Sequence, residues 1–274
     1  RMKGDGERDA ISRQNKQCQA APLVMYSEPP SSKHRPTLQN PGSGEGRSEP
    51  VYISDDTGYA LSHFLLPSHY QLDLERVLIP AGFILDRIEK LAHDIKTFYG
   101  DQDLHVLCIL KGSRGFFNHL LSYLNKIHMY GRPYATSPPY MEHYVRLRSY
   151  VGTDSSGQLE VIAEDLSILK NKHVLIVEDI IDTGNTLTKF CDYLRAIGPK
   201  SIGIASLLEK RTDKSNGFRG DFVGFSCPDA FVVGFSLDYN EMFRDLEHLC
   251  IINDQAKQRY SSKRRPSVDN GVAS

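Results

Sequence analysis

Three carboxylates and four small residues crowd into positions 178–186 of this 274-residue chain: Glu178, Asp179 and Asp182, with Thr183, Gly184, Asn185 and Thr186 after them. Like charges this close repel one another unless a cation or a hydroxyl-rich ligand lies beside them. The small residues open a helix, and the first N–H groups of a helix attract phosphate through unpaired donors and the macrodipole. One loop therefore offers acceptors for sugar hydroxyls and donors for a phosphate, the two ends of a ribose 5-phosphate. An Asp-Thr-Gly turn by itself is more often a helix cap. In an aspartic protease the same turn needs a partner Asp in an all-β setting, which this sequence does not offer. The whole arrangement favours the ligand: an apolar strand, two acids, two spacers, Asp-Thr-Gly, a further Thr and a helix. A Walker A loop is absent, which disfavours an ordinary ATPase.

These residues need a frame. His173–Val177 reads as a buried strand, and Leu187, Phe190, Leu194 and Ile197 mark the helix after the loop, closed by Gly198-Pro199. Upstream, Ile84, Ile88, Leu91, Ile95 and Phe98 recur at helical spacing, with Gly100 as the stop. His105–Leu110 is an apolar strand; Lys111-Gly112-Ser113-Arg114-Gly115 then leads into a helix with Phe117, Leu120, Leu121 and Leu124 inward. Further strands fit Ile202–Leu208, Phe222–Phe225, Phe231–Phe235 and Leu249–Ile252. Strands alternating with helices predict an α/β fold, a mostly parallel twisted sheet flanked by helices. Ligands of such sheets bind beyond the carboxyl ends of the strands. The stretch from Arg146 to about Asp165, with its Gly, Ser, Asp and Thr, reads as a long irregular loop.

Composition narrows the class. A net charge of -1 argues against broad nucleic-acid binding, which leaves a basic excess. No apolar run approaches the roughly 20 residues that cross a bilayer, and no secretory core opens the chain. The five cysteines form no C-x-x-C pair and no zinc spacing; Cys108 and Cys191 read as buried thiols. An odd count without a framework suits a reducing compartment, so a cytoplasmic protein is expected. Residues 1–50 are rich in Gly, Pro, Ser and charge and are expected to be a disordered tail, as are residues 261–274, leaving a domain at 51–260. Gly42-Ser43-Gly44-Glu45-Gly46 has no strand before it and no helix after it, so it reads as linker. Lys263-Arg264-Arg265-Pro266-Ser267 reads as a solvated end rather than a modification site.

Val177–Thr186 resembles the motif by which type I phosphoribosyltransferases bind phosphoribosyl pyrophosphate (PRPP). From about Val51 to Tyr260 the chain is similar to the hypoxanthine-guanine phosphoribosyltransferases. The match is carried by Leu110-Lys111-Gly112, Arg146-Leu147-Arg148-Ser149-Tyr150, Glu209-Lys210-Arg211-Thr212, Asp221-Phe222-Val223-Gly224-Phe225, Leu237-Asp238-Tyr239-Asn240-Glu241 and Phe243-Arg244-Asp245. Lys111–Phe117 and Glu142-His143-Tyr144 resemble the protozoan hypoxanthine-guanine-xanthine enzymes in particular. The resemblance implies transfer of the phosphoribosyl group to hypoxanthine or guanine, giving IMP or GMP and pyrophosphate, in purine salvage. It also implies Mg2+ as cofactor, a homodimer or homotetramer, and a small hood subdomain formed from terminal segments.

Residue by residue, the resemblance makes Asp182 the group beside purine N7, as general base or hydrogen-bond partner. Glu178 and Asp179 would hold the ribose hydroxyls and, through ribose or water, help hold magnesium; Thr183, Gly184, Asn185 and Thr186 would cradle the 5-phosphate. Lys111, Gly112 and Arg244 would contact pyrophosphate, and Asp238 would be the protein ligand of a second magnesium. Lys210 would read the purine O6, which adenine lacks, and Phe231 and Val232 would clamp the ring. Ser149 and Tyr150 would close as a lid and exclude water. The family often has a cis peptide where Leu110 meets Lys111, a feature a sequence does not display. Out of context, Lys210 beside Arg211 reads as surface charge and Phe231-Val232-Val233 as core strand; position after the strand Ile202–Leu208 reverses the first of these.

One position departs from the pattern: many relatives carry a lysine where this chain has Asn185, so a charge near the phosphate is missing. Two other readings share the fold, a nucleotide-sensing or RNA-binding regulator and a silent paralogue that acts by assembly. Asp182, Lys210, Asp238 and Arg244 weigh against both. Whether xanthine is a substrate stays open, because the purine 2-position is read by backbone.

Overall fold

The structure, a computed structural model, describes residues 48–131, 138–149 and 159–261. The expected tails lie outside these residues except for 48–50 and 261, and Tyr150 lies outside them too. The strands are β1 (Val51–Tyr52), β2 (Leu74–Ile79), β3 (Leu104–Leu110), β4 (Met141–Ser149), β5 (Leu159–Ala163), β6 (His173–Ile181), β7 (Ser201–Lys210), β8 (Phe222–Cys227), β9 (Val232–Val233) and β10 (Leu249–Ile252). The helices are α1 (Ala81–Tyr99), α2 (Arg114–Gly131), α3 (Asn185–Ile197) and α4 (Asp254–Ser261).

Seven strands form the main sheet in the order β1-β8-β7-β6-β3-β4-β5, parallel throughout except for the β4–β5 pair. The strand that carries the acids, β6, is the middle one, and its first five residues are buried on both faces. That is why they read as a continuous apolar run rather than an alternation. On one face α1 and α2 bury Ile84, Ile88, Leu91, Ile95, Phe116, Phe117 and Leu120 in a single core with β3, β6, β7 and β8. On the other, α3 buries Leu187, Phe190, Cys191 and Leu194. Gly100 and Gly198 end their helices with positive φ, as the sequence predicts. The first turn of α1 has no side-chain cap of its own; the Ala81 N–H donates to His248 Nδ1 at 2.9 Å.

Two expectations need correction. Arg146–Asp165 is not irregular from end to end: β4 and β5 pair antiparallel, from Val145 opposite Ala163 to Ser149 opposite Leu159. Val145 is buried, Leu147 and Val161 pack on the α3 core, and Arg146 and Arg148 face outward. The alternation was present, but charge on the outer face of an edge hairpin hid it beside the Gly- and Ser-rich segment. Likewise Phe231–Phe235 is a strand only at Val232–Val233, because Gly234, Phe235 and Ser236 all take positive φ and turn the chain away.

A second sheet, β2-β10-β9, is antiparallel and joins the segment before α1 to the end of the domain. Its own core holds Tyr70, Leu74, Val77, Phe243, Cys250 and Tyr260. The four described cysteines, Cys108, Cys191, Cys227 and Cys250, are free and buried. Among the described residues no helix is long and apolar enough to cross a membrane.

Candidate active site

At its carboxyl end β6 passes from buried residues to partly buried Glu178 and Asp179. The Glu178 carboxylate accepts from Ser113 Oγ at 3.5 Å and from the Asp179 N–H at 3.2 Å. Asp179 accepts from the Ile180 N–H at 2.8 Å. Burial first, and the neighbouring Asp179 charge second, push the Glu178 carboxyl well above the usual carboxylate range. The turn after β3 comes up against this pair: a Cβ on Gly112 would collide with the Asp179 carboxylate and force it to swing out of its place. The Leu110–Lys111 peptide in the same turn is cis.

Asp182 and Thr183 then lead to Gly184, which starts α3 in the left-handed region at φ 81°. A side chain there would strike Asn216 and Phe218. Asn216 buttresses the turn from below. Its N–H donates to the Thr183 carbonyl at 2.9 Å, and its Nδ2 donates to Asn185 Oδ1 at 3.1 Å and Thr188 Oγ1 at 3.0 Å. The Thr183–Thr186 backbone is thereby presented at the N-terminus of a 13-residue helix, where an anion is favoured.

Lys210 and Arg211, adjacent at the end of β7, separate in role. Arg211 donates to the Ile53 carbonyl at 2.7 Å, pairs with Asp55 at 2.5 Å and lies over the Tyr52 ring at 4.2 Å, which ties the segment after β1 to the sheet. Lys210 turns the other way, with a side chain only 12% exposed, and places Nζ 3.4 Å from Asp182 Oδ2 and 4.0 Å from Asp229 Oδ1. An ammonium donor and a carboxylate acceptor thus stand side by side across the ends of β6 and β7. Asp229 carried no signal in the sequence, since Pro228-Asp229 reads as an ordinary turn.

A third group lies beyond β9. Arg244 pairs with Asp238 at 2.8 Å and donates to the Ser236 carbonyl at 2.8 Å. Glu241, whose role the sequence did not disclose, accepts from Lys111 Nζ at 3.0 Å and lies 3.4 Å from Arg244 Nε through the same oxygen, Oε2. Its N–H donates to Asp238 Oδ2 at 2.7 Å. Phe231 is 40% exposed and packs edge-on to Tyr239 at 4.9 Å, leaving ring surface for a ligand. Val232 points into the core, so only its backbone is available to one. Ser149 is the last residue of β4, and Tyr150, expected to form a lid with it, lies outside the described residues.

A mostly parallel sheet whose central strand ends in paired acids and a helix-opening glycine turn, with an ammonium–carboxylate pair next to it, has the parts that a transferase of phosphorylated ribose requires. Residues 81–240 match the phosphoribosyl transferase domain, and the chain belongs to that family. It is 56% identical over 227 residues to the hypoxanthine-guanine-xanthine phosphoribosyltransferase of Plasmodium falciparum, covering 83% of this chain and 98% of that one. It is 48% identical over 218 residues to the human hypoxanthine-guanine phosphoribosyltransferase, covering 79% and 99%. A crystal structure of the Schistosoma mansoni hypoxanthine-guanine phosphoribosyltransferase in complex with IMP superposes with a TM-score of 0.64 at 35% identity, over 78% of this chain and 100% of that one.

Proposed function

We propose that the chain salvages 6-oxopurines: it transfers the 5-phosphoribosyl group of PRPP to hypoxanthine or guanine, releasing IMP or GMP and pyrophosphate. The observation that carries this reading is the Lys210–Asp182 pair, 3.4 Å apart beside the acids and the phosphate turn. A 6-oxopurine presents O6 and N7 next to each other on one edge. Lys210 donates to O6, and Asp182 accepts the N7 proton as N9 bonds to C1 of the ribose and the C1–pyrophosphate bond breaks. Adenine offers an amino donor in place of O6, leaving Lys210 facing a donor in a partly desolvated site, which is costly.

Glu178 and Asp179 hold the ribose hydroxyls, the turn from Thr183 to Thr186 holds the 5-phosphate, and Phe231 covers the base under the small sheet, which acts as the hood. Positive charge grows on the sugar in the transition state, so the Glu178–Asp179 pair favours it over the ground state. Lys111, the Gly112 backbone and Arg244 receive the leaving pyrophosphate. Magnesium fits Asp238, a carboxylate already oriented by Arg244 and the Glu241 N–H. Magnesium binds through one or two carboxylates plus substrate phosphates and water. Bound there, it offsets charge on pyrophosphate. Ser149 and Tyr150 close over PRPP and keep water from the sugar. A homo-oligomer in the cytoplasm completes the reading, and the Plasmodium relative's name makes xanthine the third base to try.

The test offers PRPP and magnesium with hypoxanthine, guanine, xanthine or adenine in turn, and follows pyrophosphate release and nucleotide formation. Turnover with hypoxanthine and guanine is expected. Adenine turned over as fast as hypoxanthine would overturn the role of Lys210, and no pyrophosphate with any base would overturn the activity.

A further inference from the structure

Lys111 and Arg244 come from distant parts of the chain, the turn after β3 and the loop after β9, yet one carboxylate oxygen lies within ion-pair reach of both. Glu241 Oε2 is 3.0 Å from Lys111 Nζ and 3.4 Å from Arg244 Nε. Asn240 and Glu241 both have positive φ, at 51° and 68°, a conformation that L residues seldom take, and the Glu241 N–H is pinned to Asp238 at 2.7 Å. The backbone is bent so that Glu241, although more than half exposed, reaches back toward the two cations.

We infer that Glu241 is an internal stand-in for the leaving pyrophosphate: its carboxylate holds Lys111 and Arg244 together when no substrate is bound, and competes with pyrophosphate for them. This rests on the functional reading above, which gives those cations to pyrophosphate. A phosphate that approaches either cation meets the Glu241 charge already beside it, so the carboxylate offsets part of the attraction and is repelled as the phosphate binds. The consequence is a leaving-group site that is pre-assembled but deliberately weakened. Part of the attraction for pyrophosphate is cancelled by a group that returns as soon as it leaves. The Glu241, Lys111 and Arg244 side chains are between one-fifth and three-fifths exposed, so the competition is modest. Exposed and half-exposed pairs of this kind correspond to about a twofold to fivefold change in an equilibrium.

Glu241→Gln keeps the shape and removes the charge. Calorimetric titration with pyrophosphate should show the variant binding about twofold to fivefold more tightly than the parent chain. In steady state its KM for PRPP should fall, and inhibition by pyrophosphate should strengthen. A residue that merely props up the two cations predicts the opposite signs, weaker pyrophosphate binding and a higher KM, and either result overturns the inference. Loss of a distant negative charge could also tighten anion binding, so the comparison is repeated in a Lys111→Met background. There the effect of Glu241→Gln should shrink, and an undiminished effect overturns the inference. Glu241→Asp, which keeps the charge but shortens the reach, should also bind pyrophosphate more tightly than the parent. If the parent chain neither binds pyrophosphate nor forms nucleotide from PRPP, the functional reading fails, and the inference fails with it.

Discussion

Lys210 Nζ stands 3.4 Å from Asp182 Oδ2, reaching from the end of β7 to the end of its parallel neighbour β6. Lys210 is nearly enclosed while Asp182 is half exposed, so the pair presents one edge to an incoming ligand. Asp182→Asn keeps the shape but cannot take up a proton. Turnover should fall by about 100-fold or more, the scale of one general base, while PRPP affinity changes little. Single-turnover kinetics with a separate PRPP titration check this, and equal turnover would remove Asp182 from its role.

Glu178 carries a pH signature. Its carboxyl is held well above the usual range by burial and by Asp179. A carboxyl raised in this way adds stability while protonated, and that contribution is lost as pH climbs from the ordinary glutamate value of about 4.3 through the raised one. Glu178→Gln should therefore raise the melting temperature of the ligand-free protein, more at pH 8 than at pH 5, and should weaken PRPP binding. An equal gain at both pH values, or a loss at pH 8, would speak against a raised carboxyl.

The turn at Thr183–Thr186, proposed to hold the 5-phosphate, is braced by Asn216, whose backbone N–H bonds to Thr183 and whose side chain bonds to Asn185 and Thr188, the two bonds that alanine removes. Each such contact contributes on the order of 1 kcal/mol or less in a solvated setting. Asn216→Ala should raise the KM for PRPP by about threefold to tenfold with kcat nearly unchanged. It should also cut the preference for IMP over inosine, which lacks the phosphate. Asn185→Lys, adding a charge beside the phosphate, should restore part of the loss. A fall in kcat without a change in KM would show that the brace serves something else.

Stability of the small sheet hangs on Asp73, fully buried, which accepts from Arg259 Nη1 at 2.6 Å and Tyr260 OH at 2.9 Å. Its carbonyl also accepts from the Asn253 N–H at 3.0 Å. Asp73→Ala removes the buried acceptor shared by Arg259 and Tyr260 and loosens α4, at a cost of about 2 kcal/mol. Urea unfolding should show the free energy of unfolding falling by that amount and the midpoint dropping with it, and an unchanged midpoint would mean that α4 is held by its apolar contacts alone.

The α/β order was legible from the strands and helices between Ile84 and Ile252, and the buried strand with its acidic, helix-opening turn from residues 173–198, because strand burial, helix spacing and capping are local properties; that this strand is the central one was decided by the fold. So was the grouping of Glu178, Asp179 and Asp182, which chain connectivity forces together. The β4–β5 pair was missed, since arginines on the outer face of β4, next to the edge strand β5, give a weak alternation. The split between Lys210 and Arg211 was also beyond sequence on its own terms: two adjacent cations look alike until the sheet turns one toward Asp182 and the other toward Asp55. Contacts between distant segments were decided only in three dimensions. Gly112 meets Asp179 across 67 positions because the parallel strands β3 and β6 place the turns at their carboxyl ends side by side, and Glu241 meets Lys111 across 130 because the loop after β9 comes over the turn after β3. Sequence set which groups the chain could bring to its acidic loop; the crossover order of the sheet selected the partners they face.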